Sequence, residues 1–279
     1  MDLLEIERCY DAIPRVSATT EDVGPFTLFR AVEGTGWNFY ARPRLGLADD
    51  VTPDDVRRLL ARQTELELPH AIEWIHEVTP SLLPAVRAAL PDTLPNAEVA
   101  ECPLLAMTGV ANAGVVRDVL VTPDRPDMTE TSRTTPTTTP TCRILAADDP
   151  DLAMALGAVS AGFGGHDEVE PTDAAHRPDL IEAGTLIVAA AYDEDGRIVG
   201  GGSAAPRGNT AELMGISTIP SARRRGYGAA VTRALVTELT QRGVTTLFLS
   251  AGSDDAASIY RSVGFERVGT ACILESDGH

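Results

Sequence analysis

The chain has 279 residues, 43% of them apolar, which is room for two domains of roughly 100 to 150 residues each, and its 23 basic and 41 acidic residues leave it at a net charge of −18. That balance argues against nucleic acid or an anionic membrane as partner, since both need a cationic footprint. All the basic residues are Arg, so a Schiff-base lysine, a pyridoxal phosphate anchor and a Walker-type phosphate loop are excluded together.

The start, Met1-Asp-Leu-Leu-Glu-Ile-Glu, is acidic where a secretory signal would be basic and then apolar. The longest apolar run, Thr185 to Tyr192, falls far short of the roughly 20 residues a membrane helix needs. A cytoplasmic protein is expected. In the N-terminal lobe, residues 1–121, the spacing predicts a helix over Asp54 to Leu66 and a strand over Ala71 to Val78. A second helix over Ser81 to Leu90 and a second strand over Glu98 to Met107 follow. Trp37, Phe39 and Tyr40 with Arg42 and Arg44 form an aromatic-basic cluster, whose rings are expected to pack in the core. Residues 122–142 are Thr- and Pro-rich and nearly devoid of apolar side chains, a linker. The acidity is even across it: 19 acids and 10 Arg in the first 121 residues, 22 acids and 13 Arg in the rest, each net −9.

The C-terminal lobe, residues 143–279, opens with helical spacing over Leu152 to Val159 and over Pro178 to Ala183, the latter ended by Gly184. Strands follow over Thr185 to Tyr192 and Arg197 to Ala205, joined by an Asp-Glu-Asp-Gly turn, and over Ala211 to Ile219, where Pro220 stops the ladder. Ala229 to Arg242 carries a stripe of Val231, Ala234, Leu235 and Leu239 and is closed by Gly243. A strand over Val244 to Ser250, a helix opened by Ser253 with Asp254 and Asp255 and ended by Gly264, and a strand over Glu266 to Leu274 complete it. The N-terminal elements repeat this last helix–strand–helix–strand order coarsely, a weak suggestion of internal duplication. The fold class is α/β (α+β), two lobes in tandem.

Cys9, Cys102, Cys142 and Cys272 stand singly without ligand spacing, so reduced, mostly buried thiols are expected and neither zinc nor a disulfide framework is supported. His70, His76, His176 and His279 are isolated. In Phe163-Gly-Gly-His-Asp-Glu-Val-Glu, the residues His166, Asp167, Glu168 and Glu170 fix no metal geometry, and no metal is assigned. The informative stretch is Ile216-Ser-Thr-Ile-Pro-Ser-Ala-Arg-Arg-Arg-Gly-Tyr-Gly-Ala, where a strand gives way through a short turn to a helix. The first N–H groups of such a helix are unpaired and the positive end of its dipole points outward, an anion site that would suit a diphosphate. Arg223, Arg224 and Arg225 add charge, and Gly226 and Gly228 permit close backbone approach, although three basic residues in a turn are ordinarily a solvated surface. The dinucleotide fingerprint fails here: Val231 stands where its third small residue belongs and Thr246 where its acid belongs.

The spacing that remains, Arg-x-x-Gly-x-Gly after a Pro-terminated strand, resembles the pyrophosphate loop of the GNAT acetyltransferase superfamily. The likeness covers about residues 143 to 274 and extends to Tyr260, Gly264 and Phe265, which match the family's Asn-x-x-Ala-x-x-x-Tyr-x-x-x-Gly-Phe block, with Ser253 in place of its Asn. The resemblance implies a mixed, mostly antiparallel sheet flanked by helices, and transfer of an acetyl group from acetyl-CoA to a primary amine. In that reading Ile216, Ser217 and Thr218 bond the pantetheine arm, and Arg223 to Ala229, Tyr227 included, receive the diphosphate. Ser253 stands at a further cofactor contact, and the Ile216 N–H faces the developing oxyanion. Tyr260 is implied as proton donor to the sulfur, against a plain structural Tyr. Glu212, 14 residues before Gly226, stands where histone acetyltransferase members hold a base; an ordinary strand carboxylate, with the amine losing its proton to water, is the other reading. The segment after Phe163 borders the acceptor site in the resembled fold, so its carboxylates are candidates to hold a cationic amine. The N-terminal lobe has neither motif and looks like a degenerate copy that covers the acceptor cleft. The function implied is acetylation of a small cationic molecule by direct attack in a ternary complex; the alternative is a non-catalytic acyl-CoA-binding sensor or regulatory module. Oligomeric state is open, a homodimer included.

Overall fold

Asp2 opens the first helix, accepting the Leu4 N–H at 2.9 Å in a computed structural model that describes residues 2–32, 40–109 and 140–276. The linker residues 122–139, with Trp37, Phe39 and His279, lie outside the described residues. Helix α1 is Leu3–Ala12, followed by β1 (Ala18–Val23) and β2 (Phe26–Ala31), which pair around Gly24, at φ +58°, as a two-residue hairpin. Then come β3 (Tyr40–Pro43), α2 (Pro53–Glu65), β4 (His70–Ile75), α3 (Leu82–Thr93) and β5 (Val99–Thr108). The order continues with β6 (Thr141–Ile144), α4 (Leu152–Gly164), α5 (Arg177–Glu182), β7 (Ile187–Tyr192), β8 (Ile198–Arg207) and β9 (Thr210–Thr218). Helix α6 (Tyr227–Gln241), β10 (Thr246–Ser250), α7 (Asp254–Arg261) and β11 (Glu266–Ser276) complete it.

Every element expected from periodicity forms within a few residues of its predicted place. Helix α1 and strands β1 to β3 were not expected, nor was strand β6. Its first two residues fall in the predicted linker, yet Thr141 to Ile144 pair antiparallel with Tyr192 to Ala189, and Arg143 binds Asp149, Asp151 and the Tyr192 hydroxyl. Three side-chain partners hold a strand too short and too polar to show in a hydropathy pattern. Helix α4 also runs five residues past Val159, to Gly164, because Gly165 supplies the left-handed stop at φ +73°.

The chain packs as two compact units, one of Met1–Ala106, Phe248–Ser258 and Phe265–His279, the other of Met107–Leu247 and Ile259–Gly264. In the first, strands follow the order β1-β2-β3-β4-β11-β5, then the later part of β10. The last strand of the chain thus enters between β4 and β5, antiparallel to both, with Ala271 opposite Ile75 on one side and Cys102 on the other. Helix α2 buries Val56, Leu59, Leu60 and Gln63, one face at helical spacing, against a core of Phe26, Leu28, Ile72, Trp74, Leu82, Val86 and Leu274. Cys9, Cys102 and Cys272 are buried and Cys142 half-buried, all four as free thiols.

In the second unit β9, β8, β7 and β6 form an antiparallel sheet. Successive β8 residues face opposite sides: a Cβ on Gly201 would meet Val159 of α4, and one on Gly202 would meet Val231 of α6. The two helices therefore cover the two faces. Helix α6 buries Val231, Leu235 and Leu239 as its stripe requires, with Thr232 and Val236 beside them, while Ala234 lies at the half-buried margin. Its end is a Schellman turn: the Gly243 N–H donates to Thr240 O at 3.0 Å and the Val244 N–H to Leu239 O at 3.0 Å, with Gly243 at φ +82°. Among the described residues no helix is long and apolar enough to cross a membrane.

Candidate functional site

The site grows from an irregularity in β9. Gly201 faces Ser217 and Ser203 faces Met214, so Gly215 and Ile216 together oppose the single residue Gly202. This is a β-bulge with glycine in the left-handed region, Gly215 at φ +61°, and it takes one residue of β9 out of the ladder at Ile216. The neighbours are cut down to fit it. A Cβ on Gly202 would lie 2.7 Å from Ile216 Cγ1, one on Gly200 2.5 Å from Ser217 O, and one on Gly162 of α4 3.0 Å from the Thr218 carbonyl. Helix α4 adds Ala155, Ala158 and Ala161 to the same small-residue face. Ile216, Ser217 and Thr218 lie on this strand as expected; the bulge was not, and its signal in the sequence is the glycine inside a β-rich run.

Beyond Thr218 a 3-10 turn at Pro220–Ala222 leads to Arg223, Arg224 at φ +63°, Arg225 and Gly226 at φ +87°, and α6 begins. A non-glycine residue in the left-handed region is uncommon, and here it helps turn the loop over the helix end. Among the described residues no side chain caps α6 and its first turn has no acid, so the outward N–H groups and the dipole of a 15-residue helix lie beside the exposed Arg224 and Arg225. Arg225 lies 3.8 Å from Glu194, with its guanidinium 5.6 Å from the centre of the Tyr227 ring. Tyr227 is only 4% exposed, so its side chain belongs to the core and its backbone alone faces outward. Gly226 needs its positive φ. Gly228 has no such need, and among the described residues a Cβ there would meet nothing within 4 Å.

Arg223 has a different environment from the one expected of a phosphate ligand. Its Nη2 donates to Gly162 O at 2.7 Å, its Nε to Thr218 O at 3.2 Å, and its own N–H to Pro220 O at 3.2 Å. Asp167 reaches the same loop from the other side, its Oδ1 accepting the Ser221 N–H at 2.8 Å. Those hydrogen bonds, with Arg223 adding its charge, hold the Asp167 carboxyl below the usual range. His166 Nδ1 donates to Glu168 O at 2.9 Å, and among the described residues no His, Cys, Asp or Glu side chains group as a metal set. Phe163, 68% exposed, precedes this acidic segment.

Tyr260 lies in the last turn of α7, half-buried, and that burial pushes its phenol up to about 12. Ser253 Oγ accepts the Ala256 N–H at 3.2 Å and so serves as the α7 cap. Glu212 is half-buried opposite Ala205, four residues before Ile216 and so about 13 Å from it along the strand. Of the isolated histidines, His70 bonds Thr64 Oγ1 at 2.8 Å and burial lowers its pKa, while the exposed His176 precedes α5. Arg42 is buried over the Tyr10 ring at 4.2 Å with Glu7 at 3.3 Å, and Tyr40 packs tilted against Phe29.

The acetyltransferase (GNAT) family model matches residues 158–265. A mycothiol acetyltransferase from Renibacterium salmoninarum is 33% identical over 133 residues, 43% of this chain and 38% of that one. A ribosomal protein bS18-alanine N-acetyltransferase from Escherichia coli is 42% identical over 57 residues, 20% of this chain and 38% of that one. The chain thus spans well under half the length of each of these relatives. Among solved structures, a GCN5-related N-acetyltransferase from Kribbella flavida superposes with a TM-score of 0.68 at 21% identity, covering 99% of this chain and 96% of that one, which establishes a shared fold. The matched residues take in the bulged strand, the arginine loop and Tyr260, and residues 158–265 are a GNAT-type acetyltransferase domain.

Proposed function

We propose that the protein transfers an acetyl group from acetyl-CoA to the primary amine of a small cationic molecule, by direct attack in a ternary complex. The observation that carries this reading is Gly228: a glycine in the first turn of a helix without a side-chain cap, beside exposed arginines, where a Cβ would meet nothing within 4 Å among the described residues. The space a side chain would fill suits a diphosphate on the helix N–H groups. The half-buried Ser217 and Thr218 at the end of β9 offer strand-like backbone bonds to the pantetheine arm.

The amine must be neutral to attack. Its nitrogen bonds the thioester carbon, the carbonyl oxygen takes up charge beside the Ile216 N–H, and the C–S bond then breaks. One amine proton ends on the departing sulfur. With its pKa near 12, Tyr260 enters as an O–H donor; full ionisation against a thiol near 8.5 would be uphill by about 5 kcal/mol. Tyr260 therefore stabilises the sulfur by hydrogen bonding, and the amine is the net proton source. Glu212 is too far along β9 for direct contact at Ile216 and acts through water. The acidic segment 167–170 after Phe163, and the net charge of −18, favour a cationic acceptor. The relatives' names speak of mycothiol in one case and of an alanine of ribosomal protein bS18 in the other, and do not fix the acceptor. A thiol-release assay with acetyl-CoA over a panel of polyamines, aminoglycosides, amino acids and N-terminal peptides tests the reading; acetyl-CoA binding without thiol release for any amine would refute it.

A further inference from the structure

We propose that Asp167 and Arg223 are positioning residues, which hold the 219–226 loop to the end of α4 by hydrogen bonds of opposite polarity and so set the diphosphate site. The inference rests on the donor reading above. Its ground is the pair of bonds already described: the Arg223 guanidinium donates to Gly162 O at 2.7 Å, and the Ser221 N–H donates to Asp167 Oδ1 at 2.8 Å. Gly162 O belongs to the last turn of α4, where carbonyls lack helical partners and carry the negative end of the dipole, a natural seat for a guanidinium. The second Arg223 bond, to Thr218 O at 3.2 Å, ties the same side chain to the end of β9.

The consequence is geometric. One bond would leave the loop free to turn about it; anchors at 221 and 223 fix its orientation, and with it the left-handed residues Arg224 and Gly226 that aim the helix end. An anion site made of backbone N–H groups works only when those groups converge. Arg223 in this reading supplies donors to carbonyls, and its charge need not face the phosphates.

The test compares full-length Arg223→Gln, Arg223→Met, Asp167→Asn and Asp167→Ala, each first checked for an unchanged melting transition. Two donors are used, acetyl-CoA and S-acetylpantetheine, which lacks the diphosphate. Met and Ala should raise KM for acetyl-CoA about tenfold, the worth of one charge-assisted hydrogen bond, with kcat and the KM for S-acetylpantetheine unchanged. Gln keeps N–H donors without charge and Asn keeps an acceptor, so both should stay within about threefold of the parent. A loss in Arg223→Gln equal to that in Arg223→Met would overturn the proposal in favour of charge recognition. An equal rise in KM for both donors, or no change in Asp167→Ala, would overturn it too. Absence of acetyl-CoA binding by the unmodified protein in calorimetry is a separate outcome, which overturns the donor reading itself.

Discussion

Replacing Gly228 with leucine should raise the melting temperature and weaken acetyl-CoA binding in the same protein. Glycine in a helix interior costs about 1 kcal/mol relative to alanine or leucine, and in a first turn about half of that. Among the described residues nothing lies within 4 Å of the new Cβ, so in Gly228→Ala no packing cost opposes the gain. At about 2 to 4 °C per kcal/mol, both Gly228→Ala and Gly228→Leu should melt about 1 to 2 °C higher than the parent. Gly226→Ala should do the opposite, because φ +87° costs a side chain about 1 to 2 kcal/mol. Coenzyme A at a hundredfold excess over its Kd stabilises by about 2.7 kcal/mol, a shift of about 5 to 10 °C in the parent. Alanine, the other small residue of the resembled motif, should keep most of that shift. Leucine should abolish it at the same concentration. Thermal melts with and without coenzyme read both quantities in one experiment, and a Gly228→Leu protein that keeps the full ligand shift refutes the argument that the glycine exists for a ligand.

Tyr260→Phe should lower kcat about a hundredfold while acetyl-CoA binding persists; unchanged turnover would leave the sensor reading in its place. The phenol also predicts a pH signature. Below pH 10 both states hold the proton and nothing changes, but between pH 10 and about 12 the unfolded state ionises first, so up to about 3 kcal/mol of stability is lost, and the Phe variant should lack this decline in chemical denaturation. Gly215→Ala should cost about 1 to 2 kcal/mol and about a hundredfold in kcat, because φ +61° and the aim of the Ile216 N–H are both disturbed; full activity would remove the bulge from the mechanism. Glu212→Gln should lower kcat/KM most at neutral pH and recover as the pH nears the amine's own value of about 10; a pH-independent loss would refute its role as base.

What was legible in the sequence was whatever local periodicity and backbone chemistry determine. The stripe of α6, the stop at Gly243, the Ser253 cap and the break at Pro220 are each settled within a few residues, and each was read correctly. Strand β6 escaped because its hold on β7 comes from Arg143 partners six, eight and 49 residues away. The placement of β11 between β4 and β5 is a pairing across more than 160 residues, beyond any window of periodicity. At the site, the residues of the loop could be named, but the direction of a side chain could not. Arg223 stands in the phosphate-loop spacing, and in the structure its Nε and Nη2 donate to the Thr218 and Gly162 carbonyls. The bulge was announced only by Gly215, and its reason lay in Gly202 on the neighbouring strand.

Helices α2 and α6 hold the same place in the repeated helix–strand–helix–strand order, and their first turns are built in opposite ways. In α2 the Asp55 N–H donates to Thr52 Oγ1 at 3.3 Å and the Thr52 N–H donates to Asp55 Oδ2 at 3.0 Å, a complete capping box. The Thr52 hydroxyl, donating to Asp55 Oδ2 at 2.6 Å, and the Thr52 N–H hold the Asp55 carboxyl below its usual range, and Asp54 lies beside it in the first turn. An incoming diphosphate would find the Asp55 N–H taken and two carboxylates in the first turn, paired to Arg57 and Arg58. In α6 there is no cap, no acid in the first turn and a glycine where a side chain would fit. A Thr or Asp cap is worth a few tenths of a kcal/mol over glycine, and α6, with Gly226 at its N-cap, forgoes it. On the donor reading the difference is one of timing: the stabilisation that α2 takes from its own carboxylate when the chain folds, α6 leaves for the anionic end of its substrate, and receives only on binding.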